Sequence, residues 1–293
     1  MSDLSVVIVS YNTCEMLQCC LNALPAAAGN LVTEVWVVDN CSTDGSPAMI
    51  EQEFPAIHLI INSENAGFAK ANNQALKQCT GKYRLILNPD TEPEPGSLEI
   101  LAEYLANHPD VGAVGPKLLN SDGSLQRNGR PFPTPWREFQ GHFRLRRIDR
   151  WFFRKIHEYG RDDFDIEWDS DHVSGACLMM PSAVMNQIGL LDESFFMFYE
   201  EVEWCWRVHN AGYRVMYVPR SRVVHHWMGS VRSKPREMQR QILQSCLLYY
   251  SKTAGPGYQA SARVVVFLAS LRGSYIRMGV AVKSALRRLK IIQ

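Results

Sequence analysis

Two acidic side chains follow a short apolar run in the first third of the chain. Leu85–Leu87 has the composition of a strand buried on both faces, and Asn88-Pro89 ends it because proline cannot donate a ladder hydrogen bond. Asp90 and Glu92 therefore emerge at the carboxyl end of this strand. Carboxylate oxygens beside Asn and Thr oxygens suit a hard divalent cation that also takes phosphate ligands. A polar turn after any buried strand has the same pattern, so the stretch alone leaves both interpretations open.

Apolar runs alternate with helical patterns before this stretch. This alternation predicts an α/β fold with a doubly wound, mostly parallel sheet and helices on both faces. In such a sheet the carboxyl ends of the strands meet at one edge, where ligands bind. Asn12, Asp39 and Asp90 should therefore converge. The predicted strands are Leu4–Val9, Glu34–Val38, Ile57–Ile61 and Arg84–Leu87, and two of the predicted helices end near Leu24 and Lys77.

The side chains expected at this edge are suited to a nucleotide. Asp39 can accept hydrogen bonds from a ribose or a base edge, and Ser10, Tyr11 and Asn12 offer backbone groups to the same ligand. The first strand–helix junction lacks a GxGxxG sequence, which argues against a nicotinamide dinucleotide fold. Ordinary structural roles compete with this interpretation, because Asp39 could complete a turn and Asn65 could cap the helix that follows it.

The second half of the chain has shorter predicted elements around an irregular segment. Residues 130–170 are rich in proline, aromatic residues and arginine, and could cover an active site or pack on the main domain. The strand predicted over Val173–Met180 includes Gly175 and Ala176, whose small side chains would let a ligand approach the backbone. The other predictions are a helix over Gly96–Asn107, strands over Val111–Val114 and Lys117–Leu119, and a hairpin turn at Ser121–Ser124.

An acidic pair follows the aromatic run Phe195–Tyr199. Glu200 and Glu201 begin a predicted helix, and the helix dipole favours carboxylates in a first turn whatever their function. Beside a partly apolar pocket, however, one of them could act as a general base. Arg207 lies four residues after Glu203, which predicts an ion pair along one face of the helix.

Two histidines follow the last predicted strand of the body. That strand covers Arg214–Val218, and Pro219 is expected to end it. Either His225 or His226 could complete a metal site with Asp90, although a single histidine is more often structural.

Charge is distributed unevenly along the 293 residues, whose net charge is +1. From Met238 onward there are nine basic and no acidic residues, which leaves residues 1–237 at −8 (+1 − 9). The basic residues alternate with aliphatic ones, so we expect no nucleic-acid partner. An amphipathic last helix predicts a tail on an anionic membrane surface, although the tail could instead join a second subunit in a homo-oligomer. Its apolar face would comprise Tyr275, Met278, Val282, Leu286 and Leu289.

The eight cysteines show no CxxC pair and no zinc-ligand spacing, so most are expected to be reduced core thiols. The chain enters a strand at once, without a signal peptide, and the tail's longest apolar run, Val264–Leu271, is too short to span a bilayer. We therefore expect a cytoplasmic protein that attaches peripherally to the inner face of the cytoplasmic membrane.

Taken in order, these stretches resemble the inverting GT-A glycosyltransferases of family 2, particularly the bacterial rhamnosyltransferase-like branch. The resemblance covers about residues 4–230. It implies a GT-A catalytic domain over residues 1–235, and a basic amphipathic helical tail then occupies residues 236–293. The matching stretches are Val6–Asn12, Val37–Asn40, Ser42–Gly45, Asn65–Ala69, Asn72-Asn73, Leu87–Asp90, Ser174–Ala176, Phe195–Arg207 and Val223–His225.

On the donor side, the resemblance implies a nucleoside-diphosphate sugar, with dTDP-rhamnose favoured, and Mg²⁺ or Mn²⁺ on its diphosphate. Asp90 matches the last position of the family's DXD motif and would hold the metal, while Asn88 replaces the motif's first Asp. His225 matches the family's metal-side histidine, with His226 as the alternative. The implied donor-binding residues are Ser10, Tyr11, Asn12, Asp39, Asn65, Gly67, Phe68, Asn73, Asn88 and Asp90.

On the acceptor side, Glu201 matches the catalytic base, which is usually the shorter Asp in this family. The implied reaction moves a deoxyhexose to a hydroxyl of a lipid-linked or cell-surface glycan. A nucleotidyltransferase is one alternative, but it should carry a glycine-rich phosphate loop after the first strand. A non-catalytic glycan-binding scaffold is another, but it would need neither Asp90 nor Glu201. The implied acceptor-binding residues are Gly175, Ala176, Asp192, Glu200, Trp204 and Arg207.

Overall fold

A computed structural model describes residues 2–143, 163–226 and 235–270. Ten of the described segments are strands of one sheet. The strands are β1 Leu4–Ser10, β2 Thr33–Asp39, β3 His58–Ile61, β4 Tyr83–Leu87, β5 Thr91–Pro93, β6 Val111–Leu119, β7 Leu125–Gln126, β8 Trp168–Ser170, β9 Cys177–Pro181 and β10 Arg214–His225. The helices are α1 Cys14–Ala28, α2 Ser46–Glu53, α3 Phe68–Leu76, α4 Ser97–Asn107, α5 Pro135–Phe143, α6 Ser182–Ile188, α7 Glu200–Asn210, α8 Pro235–Thr253 and α9 over residues 256–270.

The sheet has the order β3-β2-β1-β4-β9-β6-β10-β5, and its first four strands are parallel. β9 runs antiparallel to β4 and β6, and β6 pairs in parallel with β10, so the sheet as a whole is mixed. The predicted α/β class is therefore confirmed. Ser10 lies in register with Asp39, and Ile8 with Leu87, which brings the carboxyl ends of β1, β2 and β4 to one edge.

Both faces of the sheet are covered by helices, as β1 shows. Leu4, Val6 and Ile8 are buried in one core with apolar side chains of α1 and α4. Val7 and Val9 alternate with them and are buried in a second core with side chains of α3, α6 and α7. Burial of an aliphatic side chain stabilises the fold by about 1.5–3 kcal/mol. A strand that is buried on both faces therefore has apolar residues at successive positions.

Three predicted strand boundaries were wrong. Val111–Val114 and Lys117–Leu119 form the single strand β6, and β10 continues past Pro219. The pairing of these two strands is irregular between Val218 and Arg222, so a bulge accommodates the proline that lacks a ladder donor. The strand predicted from Val173 begins only at Cys177, after a turn.

The described chain forms two compact units. Among the described residues, the first comprises 2–132, 163–226 and 235–245, and the second comprises 133–143 and 246–270. The tail boundary expected after residue 235 falls inside α8. Five of the eight cysteines are buried, as core thiols should be.

In the second unit, helix α9 buries Ala262, Val265 and Ala269 and exposes Val264, Phe267 and Leu268. Within the described ranges no helix has the length and apolar character needed to cross a membrane. The amphipathic helix predicted around 275–289, and much of the irregular segment 130–170, lie outside the described residues.

Candidate active site

The carboxyl ends of β1 and β2 are tied together by polar side chains. Asn12 has a left-handed backbone (φ 53°), and its Oδ1 accepts a 2.8 Å hydrogen bond from the backbone N–H of Thr43. Asp44 accepts from the N–H of Cys14 at the start of α1 and from Ser46 at the start of α2. One carboxylate therefore caps two helices, and the loops that end β1 and β2 form a single rigid rim.

Asp39 lies fully buried at this rim. Its Oδ2 accepts a 2.8 Å hydrogen bond from the N–H of Ser42. Among the described residues, Asp39 Oδ1, Glu200 Oε2 and Glu201 Oε2 are buried carboxylate oxygens without a hydrogen-bond partner. We call these three atoms the orphan oxygens. A buried acceptor without a donor costs about 1–3 kcal/mol, so such atoms point to a ligand that donates to them.

The loop before α3 forms the next part of the rim. Asn40 donates to the carbonyl of Gly67 at 3.2 Å, and Asn65 Oδ1 accepts from the N–H of Gly67 at 3.0 Å. Gly67 has a φ of 84°, and a Cβ there would meet Phe196 O at 2.6 Å. The N–H of Phe68 donates to that same carbonyl at 2.6 Å. Only glycine fits this close approach, which joins the predicted donor side to the loop before α7.

Asp90 and His225 lie together after β4 and at the end of β10. Asp90 Oδ1 is 3.3 Å from His225 Nε2, and both side chains are buried. His225 Nδ1 lies 2.6 Å from Gln126 Oε1, which fixes the ring with Nδ1–H as donor and leaves the Nε2 lone pair facing Asp90. Asn88 Nδ2 is 3.4 Å from the same nitrogen. His226 instead lies 2.6 Å from Glu92, because successive strand residues face opposite sides.

The residues at this position fit a divalent cation. A carboxylate oxygen and an imidazole lone pair that face each other at 3.3 Å form a natural pair of cation ligands. In the described ranges no cluster of three or more His, Cys, Asp or Glu side chains is placed to hold a metal. Mg²⁺ and similar ions in nucleotide sites use few protein ligands and complete their coordination with phosphate oxygens and water.

The acidic pair at the start of α7 lies beside the turn that precedes β9. The N–H of Asn88 donates to the carbonyl of Ala176 at 3.0 Å, and a Cβ on Gly175 would lie 3.6 Å from Glu201 Cβ. Glu200 is buried, and burial together with the negative charge of Glu201 raises its pKa. Burial also raises the pKa of Glu201, against backbone hydrogen bonds and the charge of Arg130, which lower it.

The loop that leads into this pair is strained. Phe198 and Tyr199 have φ values of 69° and 70°, in the left-handed region that bulky residues avoid. Each such residue costs on the order of 1–3 kcal/mol, and strain of this kind is concentrated at functional sites. The predicted ion pair is present, with Arg207 Nε 2.9 Å from Glu203 Oε1.

Four of the predicted site residues have structural partners instead. Trp204 is fully buried and donates to Gly189 O, and Arg207 donates to the carbonyls of Ile188 and Leu190. The Asn73 amide bonds both backbone groups of Leu191 and the carboxylate of Glu193, and Asp192 accepts from Ser194. The structure thus places these side chains around the 188–194 segment and not on the rim.

Two residues near the site were missed by the sequence analysis. Arg130 is exposed and forms a two-hydrogen-bond bridge with the backbone of His172, a few residues before Gly175. Gln126 orients His225 from β7. Neither residue lies in a distinctive local pattern, so only the folded chain reveals them.

A mixed α/β sheet of this order, with acidic side chains at the carboxyl edge of its parallel strands, has the GT-A-type fold. Residues 5–184 match the model of glycosyl transferase family 2, and the chain belongs to this family.

Several proteins resemble this chain in sequence or in fold. The N-acetylglucosaminyl-diphospho-decaprenol L-rhamnosyltransferase of Mycobacterium tuberculosis (strain ATCC 25618 / H37Rv) is 28% identical, over 97% of this chain and 94% of that protein. A mannosyltransferase of Pyrobaculum calidifontis in complex with GDP-Man and Mn²⁺ has a TM-score of 0.57 at 17% identity, covering 97% of this chain and 80% of that one. GalNAc-T7 with UDP, GalNAc and Mn²⁺ has a TM-score of 0.60 at 15% identity, covering 86% of this chain and 49% of that one.

Proposed function

We propose that this glycosyltransferase moves L-rhamnose from a nucleoside diphosphate, dTDP in our preferred assignment, to a hydroxyl of a lipid-linked glycan, with inversion at the anomeric carbon. The observation that carries the proposal is the presence of the orphan oxygens and the Asp90–His225 pair on one edge of the sheet. The sugar and the lipid-linked acceptor are supported by the rhamnosyltransferase that aligns over nearly the whole chain.

The donor would lie along the rim between β2 and β4. Asp39 Oδ1 is a buried acceptor, and the imide N–H of thymine or uracil is a matching donor. The diphosphate would reach the Asp90–His225 pair, which would hold Mg²⁺ or Mn²⁺. A cation bound there would neutralise the charge that develops on the leaving diphosphate. Asn12 and Asn65 would position the donor indirectly, since their side-chain oxygens accept from backbone N–H groups of the rim.

Glu201 would act as the general base. Its carboxylate would remove the proton from the acceptor hydroxyl, whose oxygen attacks the anomeric carbon from the face opposite the diphosphate. The bond between the anomeric carbon and the diphosphate oxygen breaks, and its electron pair leaves with the nucleoside diphosphate. The base must lie within about 2.6–3.2 Å of the hydroxyl, and a raised pKa strengthens it as a proton acceptor. Gly175 leaves room beside Glu201 for the acceptor.

The tail would attach the enzyme to the membrane that holds its acceptor. Helix α9 exposes Val264, Phe267 and Leu268 around the basic residue Arg263. Such a face can insert at an anionic interface. Removal of residues 260–293 should release the protein from anionic vesicles, and salt should weaken binding of the intact chain. Salt-independent binding, or sedimentation of the truncated chain with the vesicles, would show that the tail has another role.

The central experiment incubates the purified chain with a panel of nucleoside-diphosphate sugars and a short-chain polyprenyl-diphosphate N-acetylglucosamine, with and without Mg²⁺ or Mn²⁺. We expect transfer from dTDP-rhamnose, release of the nucleoside diphosphate, and a product whose anomeric configuration, read by NMR, is opposite to that of the donor. Release of pyrophosphate in a parallel reaction supplied with a nucleoside triphosphate and a sugar 1-phosphate would identify a nucleotidyltransferase. Transfer of a different sugar would correct the donor assignment, and binding of glycan without turnover would favour a scaffold.

A further inference from the structure

Helix α8 reaches the loop that carries the acidic pair. Ser245 is buried, and its hydroxyl donates a 2.7 Å hydrogen bond to the carbonyl of Met197. Gln241, one turn earlier on the same helix, donates to Ser245 Oγ at 3.2 Å. Both α8 and this loop lie beyond residues 5–184, the part of the chain that matches the family model.

The bonded carbonyl belongs to the peptide plane directly before the strained residues. Rotation of the plane between Met197 and Phe198 changes the ψ of Met197 and the φ of Phe198 in opposite directions. Phe198 is held at φ 69°, and Tyr199 follows at φ 70°. A relaxed plane would return Phe198 to negative φ, where an aromatic residue is stable. The hydroxyl of Ser245 opposes that rotation.

Other contacts hold the loop on either side of this plane. The carbonyl of Phe196 accepts from the N–H of Phe68, and the carbonyl of Tyr199 accepts from the N–H of Glu203 in the first turn of α7. These two hydrogen bonds position the ends of the loop. Phe198, which follows that plane, lies two residues before α7, the helix whose first turn carries Glu201.

We infer that Ser245 is a positioning residue for catalysis, which locks the Met197–Phe198 peptide plane and thereby aims Glu201 at the acceptor hydroxyl. The inference rests on the proposed role of Glu201 as the base. It makes helix α8 part of the catalytic apparatus, because a residue beyond the matched family region sets the geometry of the reaction. A displacement of about 1 Å in a reacting group can cost about 10²-fold in rate.

The test compares Ser245→Ala with Ser251→Ala. Ser251 lies on the same helix, but it is exposed and its hydroxyl donates to Leu248 O within α8. We expect Ser245→Ala to lower kcat by about 10- to 100-fold, with the donor Kd unchanged because the rim at Asp39 and Asp90 is untouched. Ser251→Ala should retain the wild-type kcat. A kcat for Ser245→Ala within twofold of wild type, or a parallel loss of donor affinity, would overturn the inference.

A second variant, Phe198→Asn, tests the role of the peptide-plane orientation. Asparagine tolerates the left-handed region better than phenylalanine, so Phe198→Asn should relieve the need for the lock. The loss of kcat caused by Ser245→Ala should therefore be several-fold smaller in the Phe198→Asn background. An undiminished loss would show that Ser245 acts by another route.

Amide hydrogen exchange tests whether Ser245 holds the Met197–Phe198 peptide plane, and it does not depend on a transfer assay. In Ser245→Ala, the amide of Glu203 in the first turn of α7 should exchange faster, while amides in the middle of α8 should keep their protection. Unchanged exchange at Glu203 would refute the lock. If wild-type protein fails to transfer sugar, the proposed function fails, yet the exchange result still answers whether Ser245 holds the loop.

Discussion

The two ends of strand β2 use carboxylates in opposite ways. At its amino end, one oxygen of Glu34 accepts from Ser5 Oγ, from the N–H and hydroxyl of Thr80, and from the N–H of Gly81. At its carboxyl end, Oδ2 of Asp39 accepts from the N–H of Ser42, while Oδ1 is one of the orphan oxygens.

The pKa values show the same contrast. Burial raises the pKa of Glu34, but hydrogen bonds from Ser5 and Thr80 outweigh it and lower the pKa to about 2. In the acidic pair of α7, burial raises the pKa of both Glu200 and Glu201. A carboxylate that stabilises the fold accepts hydrogen bonds from donors within the chain. A carboxylate that binds a ligand retains an oxygen that can accept a hydrogen bond from that ligand. Substitutions in the two regions should therefore separate activity from stability.

The largest expected effect is at Asp90. Asp90→Ala should abolish transfer, because the diphosphate loses its carboxylate-held cation, while the melting temperature changes little. EDTA should reproduce the loss in the wild type, and added Mg²⁺ or Mn²⁺ should restore the wild type but not the variant. Turnover and thermal unfolding measured on the same preparations check this. Full wild-type activity in EDTA would refute a metal role for Asp90 and His225.

Replacement of the base should cost less but leave donor binding intact. Glu201→Gln keeps the shape of the side chain and removes the proton acceptor, so kcat should fall by about 10²- to 10⁴-fold. In the wild type, kcat should fall as the pH is lowered through the raised pKa of Glu201, because only the ionised carboxylate accepts a proton. Glu201→Asp should retain partial activity.

The control for this prediction lies in the same helix turn. Glu203 is committed to Arg207, so Glu203→Gln should affect stability more than kcat. If Glu201→Gln turns over normally while Glu200→Gln or Glu203→Gln is inactive, the base has been assigned to the wrong carboxylate.

The nucleotide end should show a smaller effect on affinity alone. Asp39→Asn replaces an acceptor oxygen of the carboxyl group with an amide, and hydrogen bonds to charged groups contribute about 1.5–3 kcal/mol. Donor Kd should therefore rise by about 10- to 150-fold, with kcat at saturating donor nearly unchanged. Calorimetric titration with dTDP and with the sugar nucleotide measures this. Unchanged affinity for both ligands would show that the nucleobase of the donor does not bind at Asp39.

Glu200→Gln should stabilise the protein at neutral pH. Because the folded state raises the pKa of Glu200, ionisation of this carboxyl group opposes folding, at a cost that begins above its ordinary pKa of 4.5 and is complete above the raised pKa. A neutral amide removes this cost, and the free energy of unfolding should rise by on the order of 1 kcal/mol. Urea unfolding at pH 7 and pH 4 tests the prediction, since the gain should shrink at the lower pH. A loss of stability at pH 7 would contradict it.

Glu34→Gln should change stability with the opposite sign and by a similar amount, without an effect on turnover. The lowered pKa of Glu34 contributes stability that is fully present above its ordinary value of 4.5 and is lost as the pH falls toward about 2. After allowance for solvent screening, the loss at pH 7 should be about 1 kcal/mol. The difference from wild type should vanish near pH 2, and kcat at 25 °C should stay unchanged. A fall in kcat would contradict the expectation that the carboxylate at the amino end of β2 affects stability and not activity.

The amino-acid sequence by itself determined the parallel half of the fold and the place of the site. Local apolar runs define β1 to β4, and parallel strands necessarily bring their carboxyl ends together. For this reason the order of residues alone assigns Asp39 and Asp90 to one edge of the sheet. The acidic pair was found the same way, because an aromatic run and a helix start are both local patterns.

Tertiary structure alone decided which side chains contact one another. Asn73, Trp204 and Arg207 belong to recognisable patterns, yet their hydrogen-bond partners lie in the 188–193 segment, and no local pattern reveals a partner far along the chain. The contacts of His225 with Asp90 and of His226 with Glu92 depend on how the end of β10 meets the segment around β5. The uninterrupted course of β10 past Pro219 and the bond from Ser245 to Met197 likewise depend on pairs of segments that meet only when the chain is folded.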